Sequence, residues 1–285
     1  MIKIISDSAC DLPMQLVEKF NIRVVPYHVL LGNEDYLDGV SVTPDEIFAY
    51  AGKNKVLPKT AAPSVFELSQ VFSEELGESN ELICFTIASN MSTTYNSMHI
   101  AAQDLNAEGR ISIINSENLA MGQGMLAIEA SRMASEGKSR KEIVETIEAL
   151  KPSVKVSFVV DSLRYLYLGG RCNAIEAFAG STLKLHPMIE VFESNMRAVR
   201  KYRGNTDRCI EKYANDLEPA LKEAVNDYVI VEASMPEDTP VVRDTIEKVK
   251  QLGIFKEVYY SRAGAVISSH CGPNSLGILF MEKKV

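Results

Sequence analysis

The chain has 285 residues, 46% hydrophobic and 24% charged, with 30 basic against 38 acidic side chains and a net charge of −8 (pI ≈ 5.2). An acidic chain with no basic stripe repels polyanions, so nucleic acid is not an expected partner. Each apolar run is interrupted before the 18 or so residues that a membrane helix needs, and "MIKIISDSACDLP" reaches an acid within seven residues, unlike a secretory signal, so the cytoplasm is the expected location.

The length suits two α/β units. In the first, strands are expected at "IKII", "IRVVPYHVLL", "LICFTI" and "ISIIN", with helices after Pro13, Thr43, Pro63 and Ser92 and across "NLAMGQGMLAIEASRMA". Such alternation predicts a parallel sheet covered on both faces, a three-layer domain over residues 1–150. From "KPSVKVSFVV" onward the pattern changes. "KLHPMIEVFE" and "NMRAVRKYRG" predict a hairpin turning at Glu193 to Asn195, and "DYVIVEA", "FKEVYYSRA" and "AGAVISSH" follow as extended runs, with helices between the first two. A two-layer domain with a mixed sheet is expected over residues 151–285.

Motifs for familiar chemistry are missing. "EGKSR" has a Gly-Lys-Ser core, but Arg132 stands where a phosphate loop needs its first glycine. There is no G-x-S-x-G elbow, the four histidines show no metal-type pairing, and the five cysteines, Cys10, Cys84, Cys172, Cys209 and Cys271, never fall in C-x-x-C spacing. "GQGMLA" fits a dinucleotide fingerprint in letters, yet Gly122 lies eight residues beyond the strand end at Ile114. Small residues that let a helix approach a sheet closely account for it better. Asp7 and Asp11 could hold magnesium, but a side-chain-capped turn before Leu12-Pro13 explains them without a metal.

Ligands of open α/β sheets sit beyond the carboxyl ends of the strands, where helix N-termini present unpaired N–H groups. Three polar segments qualify: "KTAAPS" with Thr60, "SNMSTTYNSM" with Ser92, Thr93 and Thr94, and "LYLGGRCNA" with Arg171. Singly, each serine or threonine is an ordinary helix cap; together they would hold a carboxylate or phosphate. His270, in "VISSHCGP", is expected at a strand end, where Gly272-Pro273 breaks the chain.

In this order and spacing, "DSACDLP", "KTAAPS", "MSTTYNSM", "FVVDSLRYLYLGGRCNA", "RKYRG" and "SHCGPNSLG" make the chain resemble the DegV family of bacterial fatty-acid-binding proteins over nearly its whole length. The resemblance implies a non-enzymatic carrier without cofactor or metal, holding a long-chain fatty acid between its two domains. Thr60 and Ser92 would then bond the carboxylate and Arg171 and His270 complete the head site, with Thr93 and Ser269 as supporting groups. Arg203 would meet a protein partner or membrane, and that partner would be a separate ATP-dependent fatty-acid kinase making acyl phosphate for phospholipid synthesis. Departures from the family pattern are Ala61-Ala62 for Ser-Gln, Thr93 for glycine, Ser194-Asn195 for Asp-Gly and Cys271 for threonine. The competing functions are a lipid-sensing regulator, or a small-molecule kinase or hydrolase using Asp7 and Asp11 for metal or Ser92 with His270 for nucleophilic attack.

Overall fold

The computed structural model describes residues 1–77, 80–171 and 185–283. Along the first half run β1 (Ile2–Asp7), α1 (Met14–Lys19), β2 (Ile22–Val25), β3 (His28–Leu31), β4 (Glu34–Leu37), α2 (Pro44–Asn54) and β5 (Lys59–Ala61). There follow α3 (Val65–Leu76), β6 (Glu81–Thr86), α4 (Thr94–Asp104), β7 (Ile111–Asn115), α5 (Met121–Ser135) and α6 (Arg140–Leu150). The second half contains β8 (Val154–Val159), α7 (Arg164–Leu168), β9 (Leu185–Phe192), β10 (Asn195–Arg203) and α8 (Thr206–Lys222). It closes with β11 (Tyr228–Ala233), α9 (Pro240–Gln251), β12 (Glu257–Arg262), α10 (Ala265–Cys271) and β13 (Leu276–Met281).

Strands β2-β1-β6-β7 form a parallel sheet in that order. Because side chains alternate along a strand, Ile5, Leu82 and Cys84 pack on Leu68, Phe72 and Met98 of α3 and α4. Ile4, Ile83 and Phe85 face the other way, into the layer of α5 and α6. Helices α2, α3 and α6 each start on a full capping box, from Thr43, Ser64 and Ser139, which settles orphan N–H groups locally.

The second sheet, β10-β9-β8-β13-β11-β12, is mixed: only β11 and β12 are parallel. One face carries α8 and α9, whose Ile210, Tyr213 and Ile246 meet Val229, Val231 and Ile278. The β9–β10 hairpin turns on Glu193 and Ser194, both in the left-handed region (φ +48° and +64°), as the hairpin expectation has it.

Between the two sheets lies α5. Every residue from Met121 to Ile128 is buried, the mark of a helix enclosed on all sides. It touches β1 and β6 of the first sheet and β8 and β13 of the second. A Cβ on Gly122 would stand 2.4 Å from Val156 Cγ2, and one on Gly124 would stand 2.9 Å from the Cys10 carbonyl. The small residues of "GQGMLA" therefore serve close packing, with Gly122 against one half of the molecule and Gly124 against the other.

Three expectations are corrected. "IRVVPYHVLL" is not one strand: Pro26 cannot donate to a ladder, so β2 ends at Val25 and the chain leaves for a small antiparallel sheet, β4-β3-β5. "AGAVISSH" is helix α10 rather than a strand, and "LGILFM", to which no element was assigned, is β13 inside the mixed sheet. Thr60 lies on β5, paired with Val29, instead of directly before a helix. Cys172 lies outside the described residues.

Candidate functional site

Above the carboxyl ends of β1 and β6 sits a cluster of hydroxyls. Released from the parallel sheet by Pro26, the Tyr27 phenol reaches across the strand ends, with its oxygen 2.8 Å from Ser92 Oγ and 2.5 Å from Thr94 Oγ1. Ser92 and Thr94 are themselves 2.9 Å apart, so the three oxygens form a closed triangle. Behind it, Asp7 at the end of β1 is wholly buried. It accepts the Ile87 N–H at 3.0 Å and the Gln123 amide at 2.9 Å, with the Tyr27 hydroxyl at 3.4 Å. These long-range bonds occupy the Asp7 carboxylate together with a local one from the Ala9 N–H, so the expected turn is present and most of the bonds to the carboxylate come from elsewhere in the fold. Ser92 is also not a simple cap: Thr93 holds the N-cap position of α4 with helical backbone angles, and Ser92 Oγ accepts the Thr94 N–H at 3.3 Å.

The facing wall comes from β5 and α10. Thr60 Oγ1 lies 2.9 Å from His270 Nε2, joining residues 210 positions apart. His270 occupies the last turn of a helix, correcting its expected place at a strand end. Its Nδ1 is buried without a hydrogen-bond partner, and the ring is pressed by Gly169, where a Cβ would come within 2.4 Å of Nδ1. Burial, and then the nearby Arg171 guanidinium, push the imidazole down to about 4, so it is neutral at physiological pH. Arg171 anchors itself by donating to the Gly169 carbonyl at 2.6 Å and the Met91 carbonyl at 3.4 Å. It thereby ties the end of α7 to the loop carrying Ser92.

Both walls enclose one cavity of about 500 Å³. Tyr27, Thr60, Ser92, Thr93, Arg171 and His270 supply polar lining, joined by Ser89, Asn90 and Asn96, while Ile87, Met91, Leu119, Leu166, Met196, Val266 and Ile267 supply apolar surface. Concave sites with an apolar lining and a few convergent polar groups are the usual form of small-molecule sites. Of the sequence candidates, Thr60, Ser92, Thr93, Arg171 and His270 thus come together. Ser269 does not: it is buried in α10 and donates back to the Ala265 carbonyl at 2.7 Å. Arg203 is exposed at the end of β10, away from the cavity lining.

Neither enzymatic arrangement of these residues is assembled. Ser92 bonds to hydroxyls and to a backbone N–H, and no hydrogen bond joins it to His270 among the described residues. Asp7 lies on N–H donors, and no group of three metal-ligating side chains occurs among the described residues. Sequence reasoning missed Tyr27 and Gly169. The available signal for Tyr27 was the proline before it, which marks a chain leaving the sheet; for Gly169 a local contact with the Tyr165 carbonyl contributes, but the tightest contact that demands a glycine is with a helix a hundred residues later, which no local pattern announces.

A family model described as "Uncharacterised protein, DegV family" matches residues 1–283. A DegV domain-containing protein of Caldanaerobacter subterraneus is 31% identical over 286 residues, covering 99% of each chain. Among solved structures, a fatty-acid-binding DegV family protein from Thermus thermophilus superposes with a TM-score of 0.90 at 29% identity, with 99% of each chain covered. A stearic-acid-binding protein from Eubacterium ventriosum gives 0.86 at 28%, again with 99% of each chain covered.

Proposed function

This chain belongs to the DegV family, and on that premise we propose that it binds a long-chain fatty acid in the cavity lined by Thr60, Ser92, Arg171 and His270. The observation that carries this reading is the make-up of the lining, with hydroxyls and a neutral imidazole converging from two walls beside a surface of Ile87, Met91, Leu119, Leu166, Met196, Val266 and Ile267. In this reading the carboxylate accepts hydrogen bonds from Thr60 and Ser92, His270 completes the head site by donating its Nε2–H to Thr60 Oγ1 and so turning the Thr60 proton toward the ligand, Arg171 balances the charge, and the tail lies along the Leu166, Met196 and Ile267 surface. A methylene removed from water contributes about 0.8 kcal/mol, so the tail provides most of the affinity and the polar groups set its orientation.

Purified protein extracted with organic solvent should release fatty acid, identified by mass spectrometry. Recovery of none, together with no uptake of added palmitate or oleate, would overturn the proposal. Ser92→Ala is expected to weaken binding by about 1–2 kcal/mol, in the range of lost hydrogen bonds to a charged acceptor. An unchanged dissociation constant would restrict Ser92 to a structural role.

The further step we propose is delivery: the carrier presents its carboxylate to a separate ATP-dependent fatty-acid kinase in the cytoplasm, for acyl-phosphate and phospholipid synthesis. Neutral donors support it, since they hold a carboxylate without the tight ion pairing that would resist its removal. The exposed Arg203 is the proposed partner contact, with transient membrane contact as the route of loading. Acyl-phosphate formation by such a kinase should require the loaded protein and fall in Arg203→Ala with lipid content unchanged; equal rates for both would remove Arg203 from the interface.

A further inference from the structure

The inference rests on the fatty-acid reading of the cavity and concerns its control. Asp7 is absent from the cavity lining, yet its carboxylate stands directly behind the hydroxyl triangle. Tyr27, Ser92 and Thr94 bring three protons to three mutual contacts of 2.8, 2.5 and 2.9 Å. If Ser92 turns its proton toward a carboxylate in the cavity, two remain for those contacts. If Tyr27 has also given its proton to an ionised Asp7, one remains, and close oxygens face each other lone pair to lone pair. A second effect has the same sign: two carboxylates near one another in a poorly solvated site repel strongly.

We propose that Asp7 is a positioning residue for the head group, acting through Tyr27: ionised Asp7 draws the phenol proton inward and weakens lipid binding, and protonated Asp7 returns it and strengthens binding. Burial pushes the Asp7 carboxyl up to about 6, against the hydrogen bonds from Gln123 and Ile87 that pull it down, so its charge changes close to neutrality. None of the groups hydrogen-bonded to it is cationic. The groups packed against it are the Cys10 thiol and the Ala9 N–H on the short 3-10 turn, the thiol itself pushed up to about 12 by burial, the Tyr27 phenol, the Gln123 amide of α5, the Ile87 N–H beyond β6 and the Ser6 hydroxyl. Asp38 lies past Ser8 and Cys10.

The sign follows from linkage. Binding favours the protonated form, so the Asp7 pKa is higher in the complex than in the free protein. Affinity is then greatest below the free-protein pKa and falls as pH rises through it toward the bound value. His270, pushed down to about 4, and the ligand carboxyl both titrate below this window. Glu232, raised to about 7 by burial beside Asp11, titrates inside it, and comparison with an Asp7 variant separates the two.

The test is calorimetric titration with dodecanoate below its micelle concentration, between pH 6 and 8, in buffers of different ionisation enthalpy. The wild type should take up protons on binding at pH 7.5 and lose about fivefold in affinity across the range, the change that a one-unit rise in the Asp7 pKa produces. Asp7→Asn should bind with an affinity flat in pH, and Tyr27→Phe should lose most of the dependence. A wild-type slope retained in either variant, or no proton uptake by the wild type, overturns the inference. Failure of the wild type to bind dodecanoate at any pH would overturn the fatty-acid reading and this inference with it, whereas binding that is independent of pH overturns this inference alone.

Discussion

Gly122→Val is expected to destabilise the protein by about 3 kcal/mol, lowering the melting temperature by roughly 6–10 °C. Glycine inside a helix is ordinarily a weakness, worth about 1 kcal/mol relative to alanine, so a side chain there should help if space allowed. Space does not allow it. The Cβ alone would stand 2.4 Å from Val156 Cγ2 and 2.7 Å from Asn118 Oδ1, and the two further methyls of valine have a sheet on either side of them. Gly52, in α2, makes the comparison: it is exposed and an added Cβ meets nothing within 4 Å. Gly52→Ala should raise the melting temperature slightly. If thermal denaturation finds Gly122→Val no less stable than wild type, close approach of α5 to β8 is not what holds the two halves together.

Gly169→Val should weaken fatty-acid binding by about 2 kcal/mol, roughly thirtyfold, the scale of a hydrogen bond to a charged group. The new side chain would occupy the place of the His270 ring, which has Thr60 on its Nε2 and no room behind its Nδ1. Displacing the imidazole removes the group that holds the Thr60 hydroxyl and frees that donor to rotate away from the carboxylate. A double-mutant cycle identifies the route, since changes that act through one group are not additive. Combined with His270→Ala, Gly169→Val should cost little further, the remainder being the approach of its Cβ to the Tyr165 carbonyl at 2.9 Å. A full additional thirtyfold loss in the double variant would mean that Gly169 supports the site through α7 and the Arg171 loop instead.

Periodicity and local chemistry made much of the fold legible. The parallel sheet, the capping boxes at Thr43, Ser64 and Ser139 and the hairpin at Glu193-Ser194 all carry their causes within a few residues of themselves. Helix α10 shows where that ends. "AVISSH" is short, apolar and rich in β-branched residues, and such a run reads equally as strand or buried helix. Its N-terminus is settled by Asp38, which accepts the Ala265 N–H at 2.7 Å from 227 residues away. No local pattern announces that bond. The same holds at the site. Thr60, Ser92, Arg171 and His270 were reached through ordered motifs, whereas Tyr27 belongs to the polar end only because Pro26 detaches it from the sheet and the fold brings it over Ser92.

The burial of α5 between the sheets also bears on how the cavity works mechanically. Two lobes joined by a hinge could close over a ligand and swing apart to free it, but here a clamshell motion would strip one face of a helix buried from Met121 to Ile128. The cavity is therefore built in advance. Among the described residues a tail entering it finds its walls already packed, and more of its transfer free energy survives as affinity. By the same reasoning, unloading cannot draw on lobe opening, so a change in the grip on the head group itself becomes the economical way to let a bound chain go.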